Sequence, residues 1–135
     1  MKAYLAGKMS GIPQYNFPLF DYVAAKLRTA GWEIVTPSEL DDPETRAKSM
    51  ASPDGLTPTG HTWGEYLSRD MKVIADSGLE AICLLPGWPS SRGAKLEAFV
   101  SMLLGLQFYS VLIYPDGTIG TDKIATSIVF EGLRS

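Results

Sequence analysis

The chain predicts an α/β fold, a mostly parallel sheet of about four to five strands covered by helices on both faces. Three observations carry this. Short apolar runs recur along the sequence, segments with apolar residues at helical spacing separate them, and Gly or Pro closes most of them. In such sheets the crossovers are right-handed and ligands bind at the carboxyl ends of the strands.

Lys2 to Ala6 reads as a short buried strand, ended by the loop Gly7-Lys8-Met9-Ser10-Gly11. That loop has neither the glycine spacing of a dinucleotide fingerprint nor the Gly-Lys-Ser/Thr of a P-loop. Asn16 reads as an N-cap, and Phe17, Phe20, Val23, Ala24 and Leu27 make an amphipathic helix that Gly31 stops. Trp32 to Val35 is the second expected strand, closed by Pro37. From about residue 38 to 61 the chain is polar and carries Pro43, Pro53, Gly55, Pro58 and Gly60. That is long for a structureless connection, and it predicts a flexible functional lid or flap.

A helix over Thr62 to Asp76 follows, then a strand over Glu80 to Leu85, a Pro/Gly/Trp turn, and an apolar helix containing Glu97. Phe108 to Tyr114 is the last expected strand. Pro115-Asp116-Gly117 is a turn, and Ile124 to Leu133 a terminal helix. The strand ends thus bring Gly7, Lys8 and Met9, Thr36-Pro37 and Pro86-Gly87-Trp88 to one rim, where the Glu97 helix begins.

At 135 residues the chain is one domain, 1–135, long enough for a real core. Its net charge of −3 leaves no electrostatic footprint for a nucleic-acid polymer, although a free nucleotide needs only a local anion site. A single cysteine, Cys83, excludes an intrachain disulfide and a multi-cysteine zinc site and reads as core packing. A single histidine, His61, argues against a His-rich metal site or a Ser/His triad. His61 itself reads either as a surface loop residue or as a loop acid or base. No apolar run approaches membrane-spanning length, and the first residues read as a strand rather than a signal peptide. The expectation is a cytoplasmic protein with no membrane partner and no metal or organic cofactor.

Two stretches carry chemistry. In Ser91-Arg92-Gly93-Ala94-Lys95-Leu96-Glu97 a strand and turn lead into a helix, which presents a hydroxyl and free N–H groups at the positive helix end. That suits a phosphate or another anion. Glu97 lies about two turns in, and helical side chains lean toward the N-terminus, so its carboxylate is expected over Gly93 and Ala94. Leu96, Phe99 and Leu103 read as the core stripe of this helix, with Val100 and Leu104 on the Glu97 face. Met102, Leu104 and Leu106 read either as core or as a subunit contact.

The second stretch is Trp63-Gly64-Glu65-Tyr66-Leu67-Ser68-Arg69-Asp70-Met71. Asp70 falls on the apolar stripe of Trp63, Tyr66, Leu67, Met71 and Ile74. A carboxylate there must be hydrogen-bonded, paired or protonated. A pair with Arg69, Arg92 or Lys95, a cap on another helix, and a functional role all account for it.

Taken together, these residues resemble the nucleoside 2-deoxyribosyltransferase superfamily, including its nucleotide N-glycosidases and small phage-type relatives. The resemblance runs through Lys2-Ala3-Tyr4-Leu5-Ala6-Gly7, Gly31-Trp32-Glu33-Ile34-Val35-Thr36-Pro37, Asp70 in its helix, and Ser91-x-Gly93-x-x-x-Glu97. It implies a Rossmann-like three-layer sandwich. It also implies Glu97 as the nucleophile at the anomeric carbon, Asp70 as the acid assisting departure of the base, and Tyr4 orienting the carboxylate. Ser91 matches a 5′-phosphate contact, and a homodimer or larger homo-oligomer is implied. The loop Gly7-Lys8-Met9 carries no arginine where some nucleotide hydrolases have one, so Lys8 or Arg92 would supply the charge beside Gly93. The expected activity is N-glycosidic cleavage of a (deoxy)ribonucleoside 5′-monophosphate. Deoxyribose transfer between bases, a nucleotide-binding module without turnover, and an oligomerisation domain are the alternatives.

Overall fold

The computed structural model describes residues 1–135. Five strands form one sheet: β1 (Lys2–Ala6), β2 (Glu33–Val35), β3 (Ala81–Leu84), β4 (Gln107–Ile113) and β5 (Ile119–Ile124). Five helices accompany them: α1 (Phe17–Thr29), α2 (Pro43–Met50), α3 (Trp63–Asp76), α4 (Arg92–Leu103) and α5 (Thr126–Arg134). The sheet order is β2-β1-β3-β4-β5, parallel except for the antiparallel β4–β5 pair. This is the three-layer, mostly parallel α/β architecture, consistent with a Rossmann-like sandwich. Its order reverses at β1, so the crevice between the ends of β1 and β3 is where such sheets bind ligands.

Strand alternation divides the core into two layers. Ala3 and Leu5 of β1, with Ala81 and Cys83 of β3, face α1 and meet Phe20, Val23, Ala24 and Leu27. Tyr4, Ala6, Ile82 and Leu84 face the other way, toward Ile74 of α3, Ala94 and Ala98 of α4, and Val129 of α5. Cys83 lies wholly inside, and burial pushes its thiol up to about 12, as expected of a packing residue.

The departures from expectation are local. Strand β5 lies between the expected Pro115-Asp116-Gly117 turn and the expected terminal helix, in a stretch with no expected element, and it takes Ile124, so α5 begins at Thr126. Its residues are half-exposed or exposed, and a polar edge strand has no apolar alternation to announce it. Trp32 lies just outside β2 and packs edge-on against Tyr109 with ring centroids 5.0 Å apart. Asn16 occupies the cap position of α1 without capping it; its Nδ2 donates to the Lys8 carbonyl instead, at 2.9 Å.

Segment 38–61 holds helix α2 rather than an unbroken loop. Asp42 caps it by accepting from the Thr45 N–H at 2.7 Å, and Pro43 sits at its first position. The chain beyond α2 is strapped to the first loop, with Gly11 N–H to Gly55 O at 3.0 Å and Gln14 N–H to Ser52 O at 2.8 Å. Gly55 runs so close to Ile12 that a Cβ there would fall 2.1 Å from the Ile12 oxygen, and its φ of 70° suits only glycine.

Candidate functional site

A cavity of about 300 Å³ opens at the carboxyl ends of β1 and β3. Its deepest feature is a cluster of three side chains from three elements. Tyr4 comes from β1, where alternation turns it toward the α3/α4 layer. Glu97 comes from α4 and is buried, 5% exposed. Tyr4 Oη donates to Glu97 Oε2 at 2.5 Å. Asp70 of α3 completes the cluster, near enough for its charge to raise both Glu97 and Tyr4.

The inner face of α4 explains how a carboxylate reaches this depth. Ala94, Glu97, Ala98 and Ser101 are its buried residues, small except for Glu97. Phe99, Leu103 and Leu104 point outward, at 45%, 71% and 48% exposure. The expected stripe of Leu96, Phe99 and Leu103 is therefore not the core face. Small residues let α4 lie close to the sheet, and that closeness brings Glu97 to Tyr4. Met102 and Leu106 are half-buried against the core, so of the expected contact residues Leu104 alone is exposed.

The stripe of α3 also shifts. Only Ile74 is fully buried, and Trp63 is exposed at the cavity mouth. Asp70 is paired with its neighbour Arg69, whose Nε and Nη2 both donate to Asp70 Oδ1, at 3.1 and 3.0 Å. Arg69 Nη1 donates to Asp41. Of the three expected partners for Asp70, it is thus Arg69 that pairs; Lys95 reaches the Ser135 carbonyl and Arg92 lies over the Trp63 ring, 4.8 Å from its centroid.

Burial raises Glu97 well above the usual carboxylate range, and the Asp70 charge adds to this against the Tyr4 hydrogen bond. Burial raises Asp70 as well, opposed by Arg69. A charged Asp70 makes Glu97 harder to ionise, so the pair holds one proton into a higher pH range than a free carboxylate would. Tyr4 is raised too, by burial and then by Glu97, and remains a donor.

The other end of the cavity is an anion cradle. Ser91 caps α4, its Oγ accepting from the Ala94 N–H at 3.1 Å. The hydroxyl keeps its own proton to donate, and the Arg92 and Gly93 N–H groups have no intrahelical partner by position. A Cβ on Gly93 would meet nothing closer than Ser91 Oγ at 3.9 Å, so its bareness serves the cavity rather than the packing. Gly7 is the reverse case, since a Cβ there would strike Leu85 at 2.8 Å. Lys8 and Arg92 line the cavity and neither is in an ion pair. Met9 lines it too while packing on the core.

All nine residues expected at the site, Tyr4, Gly7, Lys8, Met9, Asp70, Ser91, Arg92, Gly93 and Glu97, border this cavity or its floor. Asp41, Tyr15 and Thr59 lie outside that expectation. Tyr15 belongs to a left-handed turn of three consecutive residues, Gln14, Tyr15 and Asn16, with φ between 53° and 62°. Such a turn is costly for L-residues and persists only when its surroundings impose it. Here Gln14 donates to Met50 O at 3.1 Å and Tyr15 Oη to Thr57 O at 2.5 Å. No local sequence signal announces this turn. A signal for α2 did exist, in Asp42-Pro43-Glu44, which reads as a cap, first-position proline and acidic first turn. His61 sits outside the cavity lining, between Thr45 and Glu65. No group of three or more His, Cys, Asp or Glu is placed to hold a metal ion, and no helix is long and apolar enough to cross a membrane.

Comparison with curated proteins finds no match. Residues 1–110 match the family described as Domain of unknown function (DUF4406), a span that includes every residue of the cluster and the cradle, and the chain belongs to that family.

Proposed function

We propose that the protein cleaves the N-glycosidic bond of a (deoxy)ribonucleoside 5′-monophosphate, as the resemblance to nucleoside 2-deoxyribosyltransferases and nucleotide N-glycosidases implies. The observation that carries this reading is the buried Tyr4–Glu97–Asp70 cluster in the same cavity as an anion cradle on α4. A binding module needs the cradle but gains nothing from two mutually repelling buried carboxyl groups.

The Glu97 carboxylate attacks the anomeric carbon as the bond to the base nitrogen breaks. Asp70 delivers its proton to that nitrogen, and the base leaves neutral. Water then attacks the same carbon, Asp70 takes its proton, and Glu97 is released. The sum is nucleotide plus water to base plus sugar phosphate. The reactive form is the one with Asp70 protonated and Glu97 ionised; Tyr4 favours it by donating to Glu97. The 5′-phosphate lies on Ser91 and the N–H groups of Arg92 and Gly93, with Lys8 and Arg92 as cations. We place the protein in the cytoplasm and pair its exposed Phe99, Leu103 and Leu104 with a second copy of the chain.

The test is incubation with matched nucleosides and 5′-monophosphates, with chromatography for free base. Base release from monophosphates and not from nucleosides supports the reading. Turnover of nucleosides that requires a second base as acceptor moves it to deoxyribosyl transfer. Thermal stabilisation by monophosphates without any base release leaves a binding module.

A further inference from the structure

Beside a guanidinium, a carboxyl group ordinarily ionises and becomes a poor proton donor. Arg69 is such a neighbour to Asp70, and it opposes the role that the glycosidase reading gives Asp70. On its far side Arg69 meets Asp41, whose side chain is only 5% exposed, against 28% for Arg69 and 13% for Asp70. The guanidinium is thus divided between two shielded carboxyl groups. Both Arg69 N–H contacts to Asp70 also end on a single oxygen, Oδ1. With Oδ1 accepting twice, Oδ2 is the oxygen left to carry a proton.

We propose that Asp41 is a positioning residue that cancels the charge of Arg69, so that Arg69 orients Asp70 while Asp70 still holds a proton on Oδ2. The proposal rests on the glycosidase reading for its consequence, though not for its charge balance. It also gives segment 38–61 a task, since that segment delivers Asp41. The other groups facing Asp70 are Tyr4 of β1 and Glu97 of α4. Tyr66 of α3 lies beneath the guanidinium, 5.3 Å from Cζ to ring centroid. Lys8 and Arg92 line the same cavity.

The test is a site-resolved carboxyl carbon NMR titration of Asp70 in the full chain, beside the pH profile of base release. In Asp41→Asn the Arg69 charge falls on Asp70 alone, so Asp70 titrates at lower pH than in the wild type. The alkaline limb of kcat moves the same way, and kcat on a poor leaving group falls about 10–100-fold with KM little changed. Arg69→Gln leaves Asp41 unopposed and moves the titration up. The double variant Asp41→Asn/Arg69→Gln, neutral at both positions, returns it toward the wild type and keeps the ladder readable where one single variant fails to fold. A merely structural Asp41 would lower stability in Asp41→Asn without this ordering. An unchanged or raised Asp70 titration in Asp41→Asn, or a double variant that fails to return toward the wild type, overturns the proposal. An intact ladder in a protein that releases no base overturns the glycosidase reading and leaves the charge cancellation standing.

Discussion

Helices α1 and α4 cover opposite faces of the same sheet and use their inner faces differently. In α1 the buried residues are Phe17, Phe20, Val23, Ala24 and Leu27, while Lys26 and Arg28 end the helix in its last turn. In α4 the buried residues are Ala94, Glu97, Ala98 and Ser101, while Phe99 and Leu103 face outward. Burying large apolar side chains stabilises by roughly 1.5–3 kcal/mol each, so α1 contributes more to stability through its inner face than α4 does. A buried carboxyl beside another one works against stability. The contrast separates a layer that holds the sheet from a layer that places chemistry on it.

The largest effect that would break this division is on turnover. Glu97→Gln should lose base release by roughly 10⁴-fold or more, because the amide cannot form the glycosyl ester. The same variant should melt a few degrees higher at neutral pH, about 1 kcal/mol. The sign follows from the raised Glu97. A carboxyl group held above its unfolded value contributes stability that is full below the unfolded value and lost as pH rises through the folded one. That downward slope should flatten in Glu97→Gln, leaving the part that belongs to Asp70, as read by melting across pH. A variant that is both inactive and destabilised would make Glu97 a structural residue and erase the contrast.

On the opposite face, Phe20→Ala should cost about 3–5 kcal/mol by denaturant unfolding. In the fraction that stays folded, the specificity constant should be little changed. A large selective loss of activity would instead tie α1 to the site. Next comes Asp70→Asn, which should lower kcat by about 10²–10⁴-fold on ordinary bases and far less on substrates with an activated leaving group. Equal losses on both would leave Asp70 as a partner for Arg69 only.

Smaller effects sharpen the comparison. Ser91→Ala should weaken monophosphate substrates by about 1–3 kcal/mol, and cost about 1 kcal/mol of stability as the cap of α4 is lost. Ser91→Thr should restore both, and unphosphorylated nucleosides should be nearly untouched by either. The smallest change belongs to the outer face of α4. Phe99→Ser with Leu103→Ser should alter monomer stability by no more than about 0.5 kcal/mol each, while sedimentation shows any self-association weakened.

Much of this was readable in the residues themselves. The short apolar runs within Lys2–Ala6 and Ala81–Leu84, and the helical spacing of Phe17, Phe20, Val23, Ala24 and Leu27, determine which segments become strands and helices. These patterns are local consequences of backbone geometry, so the parallel sheet follows from them. The spacing from Ser91 to Glu97 determines that a hydroxyl cap and a carboxylate share one helix, two turns apart. Local order does not determine which face of that helix turns inward. Leucines and a phenylalanine predict one face, and the close seat of small residues against the sheet selects the other. Nor does it determine that Arg69 turns to Asp70, or that a polar stretch of chain brings Asp41 from 28 positions away. The left-handed turn at Tyr15 and the Asp41–Arg69 pair depend on partners remote in sequence, and β5, though joined to β4 by a short turn, takes its strand form from pairing along that edge. Charge pairing and edge pairing have no period along a chain, and only the folded sheet brings their members together.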